Sequence, residues 1–313
     1  MRILRSIPQL AQVPGPIFLA IGVFDGVHRG HQAVIGTAVR HAAEAGGQAV
    51  VVTFDPHPMK ILRPNESPRL LTATQHKIAL LRDLGVSHLL VLKFDRAFAS
   101  TSPEGFVRQL ASAAQPLREI CVGQEWSFGK NRAGNLALLQ KLGAQLGFNV
   151  VGVEPVTSNG TIISSTAIRK AVEAGDFATA ARMLGRDYTI LGRVEAGQHL
   201  GRTLGFPTAN LSAHSEQFPP NGVYAAEGML EGKTYRGVVN LGVRPTISGG
   251  SPQRVLEFHL FDFDRDLYGE DVELKFLRYL RPEKKFENLA GLREQIARDV
   301  AQAREIFAAG GTR

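Results

Sequence analysis

Two histidines stand three residues apart in Phe24-Asp25-Gly26-Val27-His28-Arg29-Gly30-His31. The stretch lies between an apolar run of strand length, Ile17–Phe24, and a helical pattern over Gln32–Ala45. A strand-to-helix turn is where an open parallel sheet places its ligand crevice. Free N–H groups at the helix start and the helix dipole attract phosphate. Gly26 and Gly30 let backbone and ligand approach closely. His28 and His31 can then hydrogen-bond phosphates and offset charge on a leaving group. Far along the chain, Gly201-Arg202-Thr203-Leu204-Gly205-Phe206-Pro207-Thr208-Ala209-Asn210 combines glycines that can cradle phosphate with two neutral oxygens, on Thr208 and Asn210. Hard oxygens of this kind suit Mg²⁺, which keeps most of its waters and bridges substrate phosphates. Taken as bare residues, Gly, Pro and Asn also simply form turns.

The elements that must hold these residues fall into two kinds. Up to Leu184 strands and helices alternate: strands over Ile17–Phe24, Ala49–Phe54, Val86–Phe94, Glu119–Gly123 and Asn149–Val153, and helices over Gln32–Ala45, Gln75–Leu84, Asn135–Leu146, Ser164–Ala174 and Phe177–Leu184. A further helix is expected to start at Ser102-Pro103-Glu104, with Ser as cap and Pro at the first helical position. Strand, helix, strand within about 40 residues is a βαβ unit, so the sheet is expected to be parallel, as an open doubly wound α/β fold with helices on both faces. From Gly185 onward the segments are short, β-rich and punctuated by glycine, as in a small antiparallel barrel. An amphipathic helix over Glu287–Phe307 closes the pattern and should pack on the barrel. The sequence thus divides into domains at 1–184 and 185–313. Gly228-Met229-Leu230-Glu231-Gly232-Lys233-Thr234 resembles a phosphate-binding P-loop but is one residue short and lies between strands; a hairpin turn at Glu231-Gly232 is expected instead.

Composition narrows the class. Hydrophobic residues make up 44% of 313 residues, enough for a core in each half. Cys121 is the only cysteine, so no internal disulfide forms, and its apolar neighbours mark it as a core residue. No run approaches the length of a membrane span, and the first residues lack the apolar stretch of a signal peptide, which points to a cytoplasmic protein with no membrane partner. The net charge of +7 is scattered, so no nucleic-acid partner is expected; it suits phosphate-bearing substrates.

The string Gly22-x-Phe24-Asp25-Gly26-x-His28-x-Gly30-His31 resembles the nucleotidyltransferase signature in the form carried by prokaryotic bifunctional riboflavin kinase/FAD synthetases. The resemblance runs over about residues 15 to 305. It implies that the His loop, together with Ser164, Ser165, Thr166 and Arg169, binds the ATP phosphates. It implies a flavin and nucleotide pocket lined by Phe54-Asp55-Pro56-His57-Pro58 and by Glu125, Trp126 and Phe128. Here the family usually has Asp or Asn followed by Phe, and Glu125-Trp126 departs from it. In the second domain it implies that Gly201, Arg202, Gly205, Pro207 and Thr208 bind ATP, that Thr208 and Asn210 hold Mg²⁺, that Asn240 and Arg244 contact flavin, and that Glu257 is the base. The activities implied are phosphorylation of riboflavin to FMN and adenylylation of FMN to FAD, both consuming ATP, by a monomer or weak homo-oligomer. No prosthetic group is implied, since flavins are substrate and product. A single-activity FAD synthetase is disfavoured by the complete Thr208/Asn210/Glu257 set. A relative of aminoacyl-tRNA synthetases is disfavoured by the lack of a Lys-Met-Ser-Lys-Ser-type loop.

Overall fold

The computed structural model describes residues 1–195, 204–213, 217–244 and 253–310. The chain forms two compact units. The first comprises Met1–Leu70, Thr74–Ala167 and Met183–Gly185, and the second Leu71–Ala73, Ile168–Arg182 and Arg186–Arg313.

The first unit is built on six parallel strands: β1 (Arg2–Leu4), β2 (Ile17–Ile21), β3 (Gln48–Asp55), β4 (His88–Lys93), β5 (Leu117–Gly123) and β6 (Asn149–Val153). They lie in the order β1-β4-β3-β2-β5-β6. Alternate residues serve opposite faces. Leu19, Ile21, Val50 and Val52 enter one core, while Phe18, Ala20, Ala49 and Val51 enter the other. A sheet covered on both sides needs apolar residues at every position, which is why these strands read as unbroken apolar runs. Helix α1 (Arg29–Glu44) packs Val34, Ile35, Ala38 and Ala42 into the second of these cores. The others are α2 (Pro58–Leu62), α3 (Thr74–Asp83), α4 (Arg96–Ala99), α5 (Pro103–Ala113) and α6 (Leu136–Leu146). The start of α5 is as expected, with Ser102 Oγ accepting from Gly105 N at 3.1 Å. Cys121 is fully buried in β5, and its Sγ donates to Glu119 Oε1 at 3.2 Å.

Strand β2 stops three residues before the apolar run does. Phe24, Gly26 and Val27 all have positive φ (51°, 84° and 42°), which no strand accommodates. Helix α1 correspondingly starts at Arg29 rather than Gln32, because the His28 side chain caps it. Strands β1, β7 (Thr157–Ser158) and β8 (Thr161–Ile162) are two or three residues long, too short for any periodicity to show.

Helix α7 (Ser165–Glu173) begins in the first unit and continues into the second, which also holds most of α8 (Phe177–Leu184). Phe177 stacks on Phe276 at 5.8 Å within that unit. The body of the second unit is a closed antiparallel barrel. Its strands are β9 (Thr189–Glu195), β10 (Ala209–Ala213), β11 (Gly222–Leu230), β12 (Lys233–Arg244), β13 (Gln253–Leu260) and β14 (Asp271–Arg281), in the order β10-β13-β12-β11-β14-β9. The P-loop look-alike is the β11–β12 hairpin, with Glu231 and Gly232 both at positive φ (49° and 78°), the conformation of a two-residue primed turn. Helix α9 (Leu289–Gly310) lays Ala303 and Phe307 against Val223, Ala225 and Val238.

Candidate active sites

In the first unit, β2 is central and its neighbours β3 and β5 belong to opposite halves of the sheet. The crevice of a parallel sheet opens at that switch point, beyond the carboxyl ends of the strands. The segments Gly22–His31, Phe54–Pro58 and Gly123–Phe128 all follow those ends. The His loop is tightly built. His28 Nδ1 accepts from His31 N at 3.3 Å, so one histidine fixes the backbone that carries the other. Their rings stack at 3.5 Å, and the edge of Phe24 meets His31 at 5.3 Å. A Cβ on Gly30 would lie 3.2 Å from the His28 ring, and one on Gly22 would lie 2.8 Å from the Phe24 ring. Both glycines are therefore needed for packing, whereas Gly26 is needed for its positive φ. Ser165 Oγ donates to Asp25 O at 2.9 Å, tying the start of α7 to the loop, and Ser164 Oγ caps that helix by accepting from Ala167 N at 3.2 Å. Thr166 is exposed beside them, and Arg169 lies one turn on, in the second unit.

The two histidines of the loop differ in their surroundings. Burial, then the stacked His28 ring, then the Lys77 ammonium hold the His31 imidazole well below its ordinary pKa. It is neutral near pH 7 in the free protein, and its buried Nδ1 has no partner among the described residues. A buried cation also acts on the loop from Lys77, only 5% exposed, which pattern reading placed on a routine helix. Its Nζ donates to Val23 O at 2.7 Å and lies 3.5 Å from Thr53 Oγ1, which itself donates to Val23 O at 3.0 Å.

Around the flavin segments, Asp55 accepts from Thr74 Oγ1 at 2.9 Å, and Pro56 and Pro58 are half-buried. Phe54 and Phe128 are core residues, 9% and 6% exposed. Trp126 is half-buried and stacks on Phe128 with centroids 4.4 Å apart and planes within 10°. Glu125 is exposed.

In the second unit, register does the positioning. Asn210 on β10 and Asn240 on β12 both pair with Glu257 on β13, so the carboxylate stands between two amides on a single rung. Asn240 Nδ2 reaches Glu257 Oε2 at 3.5 Å. A cavity of about 340 Å³ opens there, with Thr208, Asn210, Asn240, Glu257 and His259 in its wall. His259 Nδ1 pairs with Pro207 O at 2.8 Å and holds the turn that presents Thr208. Burial dominates at His259 and lowers its pKa. Opposite, Arg281 grips Asp299 of α9 through Nε (2.9 and 3.0 Å) and Nη2 (2.7 Å), and Gln295 Nε2 adds 2.9 Å to the same carboxylate. Both Arg281 and Asp299 line the cavity, and sequence reading selected neither, nor His259. Pro207 and Gly205 are exposed. Gly201, Arg202 and the side chain of Arg244 lie outside the described residues.

Comparison with known proteins agrees with this two-part organisation. The FAD synthetase family profile matches residues 11–167, and the riboflavin kinase profile matches residues 184–307. The bifunctional riboflavin kinase/FMN adenylyltransferase of Escherichia coli (strain K12) is 38% identical over 309 residues, with 98% of both chains covered. That of Haemophilus influenzae is 37% identical, covering 98% of this chain and 99% of its own. A solved structure described as a macrolide-efflux protein from Streptococcus pneumoniae has a TM-score of 0.78 at 27% identity, covering 96% of this chain and 97% of that one. Among the described residues, no helix is long and apolar enough to cross a membrane. The chain belongs to the bifunctional riboflavin kinase/FMN adenylyltransferase family, enzymes that phosphorylate riboflavin to FMN and adenylylate FMN to FAD.

Proposed function

We propose a division of labour between the two sites, with residues 1–184 carrying adenylyl transfer and 185–313 carrying phosphorylation. The supporting observation is that His28, His31 and Lys77 lie in the first unit, and Thr208, Asn210, Asn240 and Glu257 in the second. In the first site the FMN phosphate attacks the α-phosphorus of ATP and pyrophosphate leaves. FMN supplies an anionic oxygen, so no base is required, and catalysis is positioning plus charge stabilisation. Free amides at the start of α1, His28, His31, Ser164, Ser165 and Thr166 bind the phosphates. Asp55, Pro56, Pro58, Glu125 and Trp126 contact flavin.

In the second site Glu257 accepts the proton of the ribityl 5′-hydroxyl as it attacks the γ-phosphorus. Its two flanking amides stand on the same rung, and Asn240 Nδ2 reaches its carboxylate. Thr208 and Asn210 offer neutral hard oxygens to one cavity, a donor set that fits Mg²⁺ accompanied by ATP. Held by Thr208 and Asn210, Mg²⁺ would offset phosphate charge, while Glu257 and Asn240 align the hydroxyl. The enzyme works in the cytoplasm, where ATP and flavins are made, as a monomer or weak homo-oligomer.

Chromatography of products from riboflavin, ATP and Mg²⁺ tests the division. His31→Ala should stop FAD while FMN accumulates. Glu257→Ala should stop FMN formation yet still convert supplied FMN to FAD. Loss of the same single step in both variants refutes the assignment.

A further inference from the structure

Lys77 is a costly residue for its position. Removing an ammonium from water costs several kcal/mol even after relaxation. A leucine or methionine would fill a buried helix position without that cost. Lys77 is nevertheless 5% exposed and is held from two sides. Its Nζ donates to Val23 O and reaches Thr53 Oγ1, and the carboxylates of Asp25 and Asp55 act on it electrostatically. Val23 stands where β2 gives way to the His loop, and Thr53 lies near the end of β3. Lys77 thus joins α3 to the two strand ends that frame the crevice. Lys77 and His28 act electrostatically on His31, and Asp25 and Asp55 act on Lys77.

We propose that Lys77 is a positioning residue for adenylyl transfer, locking the His loop through Val23 and supplying the fixed positive charge beside His31. This rests on the reading of the His loop as the adenylyl-transfer site. The cation and the neutral imidazole are complementary. The Lys77 ammonium opposes protonation of His31, in line with the direction of its displacement. The ring therefore meets nucleotide as a hydrogen-bonding group, beside a cation held by Val23 O and Thr53 Oγ1. Without Lys77 two things change together. Val23 O loses an ammonium donor, and the positive charge that acts on His31 is removed. The second change favours imidazolium.

The test uses full-length Lys77→Met and Lys77→Arg, with three readouts. Trp126, the only tryptophan, reports by its emission whether the first unit is folded. Riboflavin phosphorylation is the internal control. Histidine ring NMR, with the His31 signal identified by its absence in His31→Gln, gives the His31 titration midpoint. Lys77→Met should keep native emission and phosphorylation within about twofold. It should lose about a hundredfold or more in kcat/KM for adenylyl transfer, and its His31 midpoint should move up. Lys77→Arg, which keeps the charge, should restore the midpoint and recover at least about tenfold of the rate. An unmoved midpoint in Lys77→Met overturns the electrostatic role, and unchanged adenylyl transfer overturns the positioning role. Loss of native emission in both variants reduces Lys77 to a folding residue and overturns the proposal. If His31→Ala itself still makes FAD at the normal rate, the underlying reading of the loop fails, whatever Lys77 does.

Discussion

The two sites handle phosphate chemistry with opposite materials. In the His loop the polar groups are sealed in: Asp25, His28 and Lys77 are 2%, 6% and 5% exposed, and the backbone turns through three residues at positive φ, Phe24, Gly26 and Val27. In the barrel the corresponding groups stand at a wall: Thr208 is exposed, Asn210 and Glu257 are half-buried, and their alignment comes from strand register. A site made by a turn depends on backbone conformation and buried charge. A site made by a β-ladder depends on side chains alone, because the ladder survives their loss. The first should break through its scaffold, the second only through its functional groups.

The largest expected effect tests the second half of that contrast. Glu257→Gln is nearly isosteric, leaves the rung with Asn210 and Asn240 intact, and removes only basicity. Phosphorylation should fall by about 10² to 10⁴ in kcat, the usual contribution of a general base, with KM for riboflavin little changed. Steady-state kinetics measures this, and a loss under tenfold would mean that Glu257 orients rather than accepts the proton. Next comes Asp299→Ala, which strands Arg281 beside the cavity. Breaking one partner of a buried pair costs about 3–5 kcal/mol, so the urea midpoint of the second unit should drop, and riboflavin KM should rise because α9 forms one wall. An unshifted midpoint would show that α9 is held by its apolar face alone.

Gly26→Ala probes the scaffold side. An alanine at φ 84° costs about 1–2 kcal/mol, so adenylyl transfer should fall by roughly tenfold while phosphorylation is untouched. Gly123→Ala, where a Cβ meets nothing within 4 Å and φ is ordinary, is the matched control. Equal losses in both would mean that the loop tolerates backbone strain.

The same contrast governs what could be read from the sequence. The His loop, the Ser102 and Asn135 helix starts and the Glu231-Gly232 hairpin are all local signals, each carried by a turn residue or a cap, whereas Glu257 is marked only by the family resemblance. Lys77, His259, Arg281 and Asp299 are not local. Lys77 is 54 residues from Val23, and its helix, Thr74–Asp83, looks amphipathic in the ordinary way, with a lysine that pattern alone assigns to solvent. Asp299 likewise reads as one more acidic residue on a charged helix face, and only the fold brings Arg281 to it. The apolar run Ile17–Phe24 misled about the end of β2 because Val23 and Phe24 are apolar for packing around the turn, not for pairing in the sheet.

Buried imidazole gives the first site a pH signature. The folded-state pKa of His31 lies below the unfolded value near 6.5, so the unfolded chain binds the extra proton first. The stability associated with neutral His31 is fully present above about pH 6.5 and is lost as pH falls from there toward the folded pKa, by at most about 1.4 kcal/mol per pH unit. Calorimetric scans between pH 7.5 and 5 should show a shallower acid decline for the first unit in His31→Gln than in the parent. His88 and His259 are also depressed and contribute to both proteins equally, so the difference isolates His31. Parallel declines would mean that the imidazole titrates freely.

The smallest effect concerns the pair that departs from the family pattern, Glu125-Trp126. Trp126 already stacks on Phe128, so part of its surface is committed to the protein. Phenylalanine at 126, the usual family residue, keeps an aromatic ring against Phe128 and should leave KM for FMN within about twofold. Alanine removes the ring. If Trp126 also contacts a planar substrate, KM for FMN or ATP in adenylyl transfer should rise by about five- to tenfold, the scale of one stacking contact, with riboflavin phosphorylation unchanged. If neither KM moves but the first unit unfolds at lower urea, the ring serves only Phe128. The scaffold would then account for Trp126 as fully as it accounts for Phe24, and the flavin contact would fall to Glu125 and the Asp55–Pro58 segment.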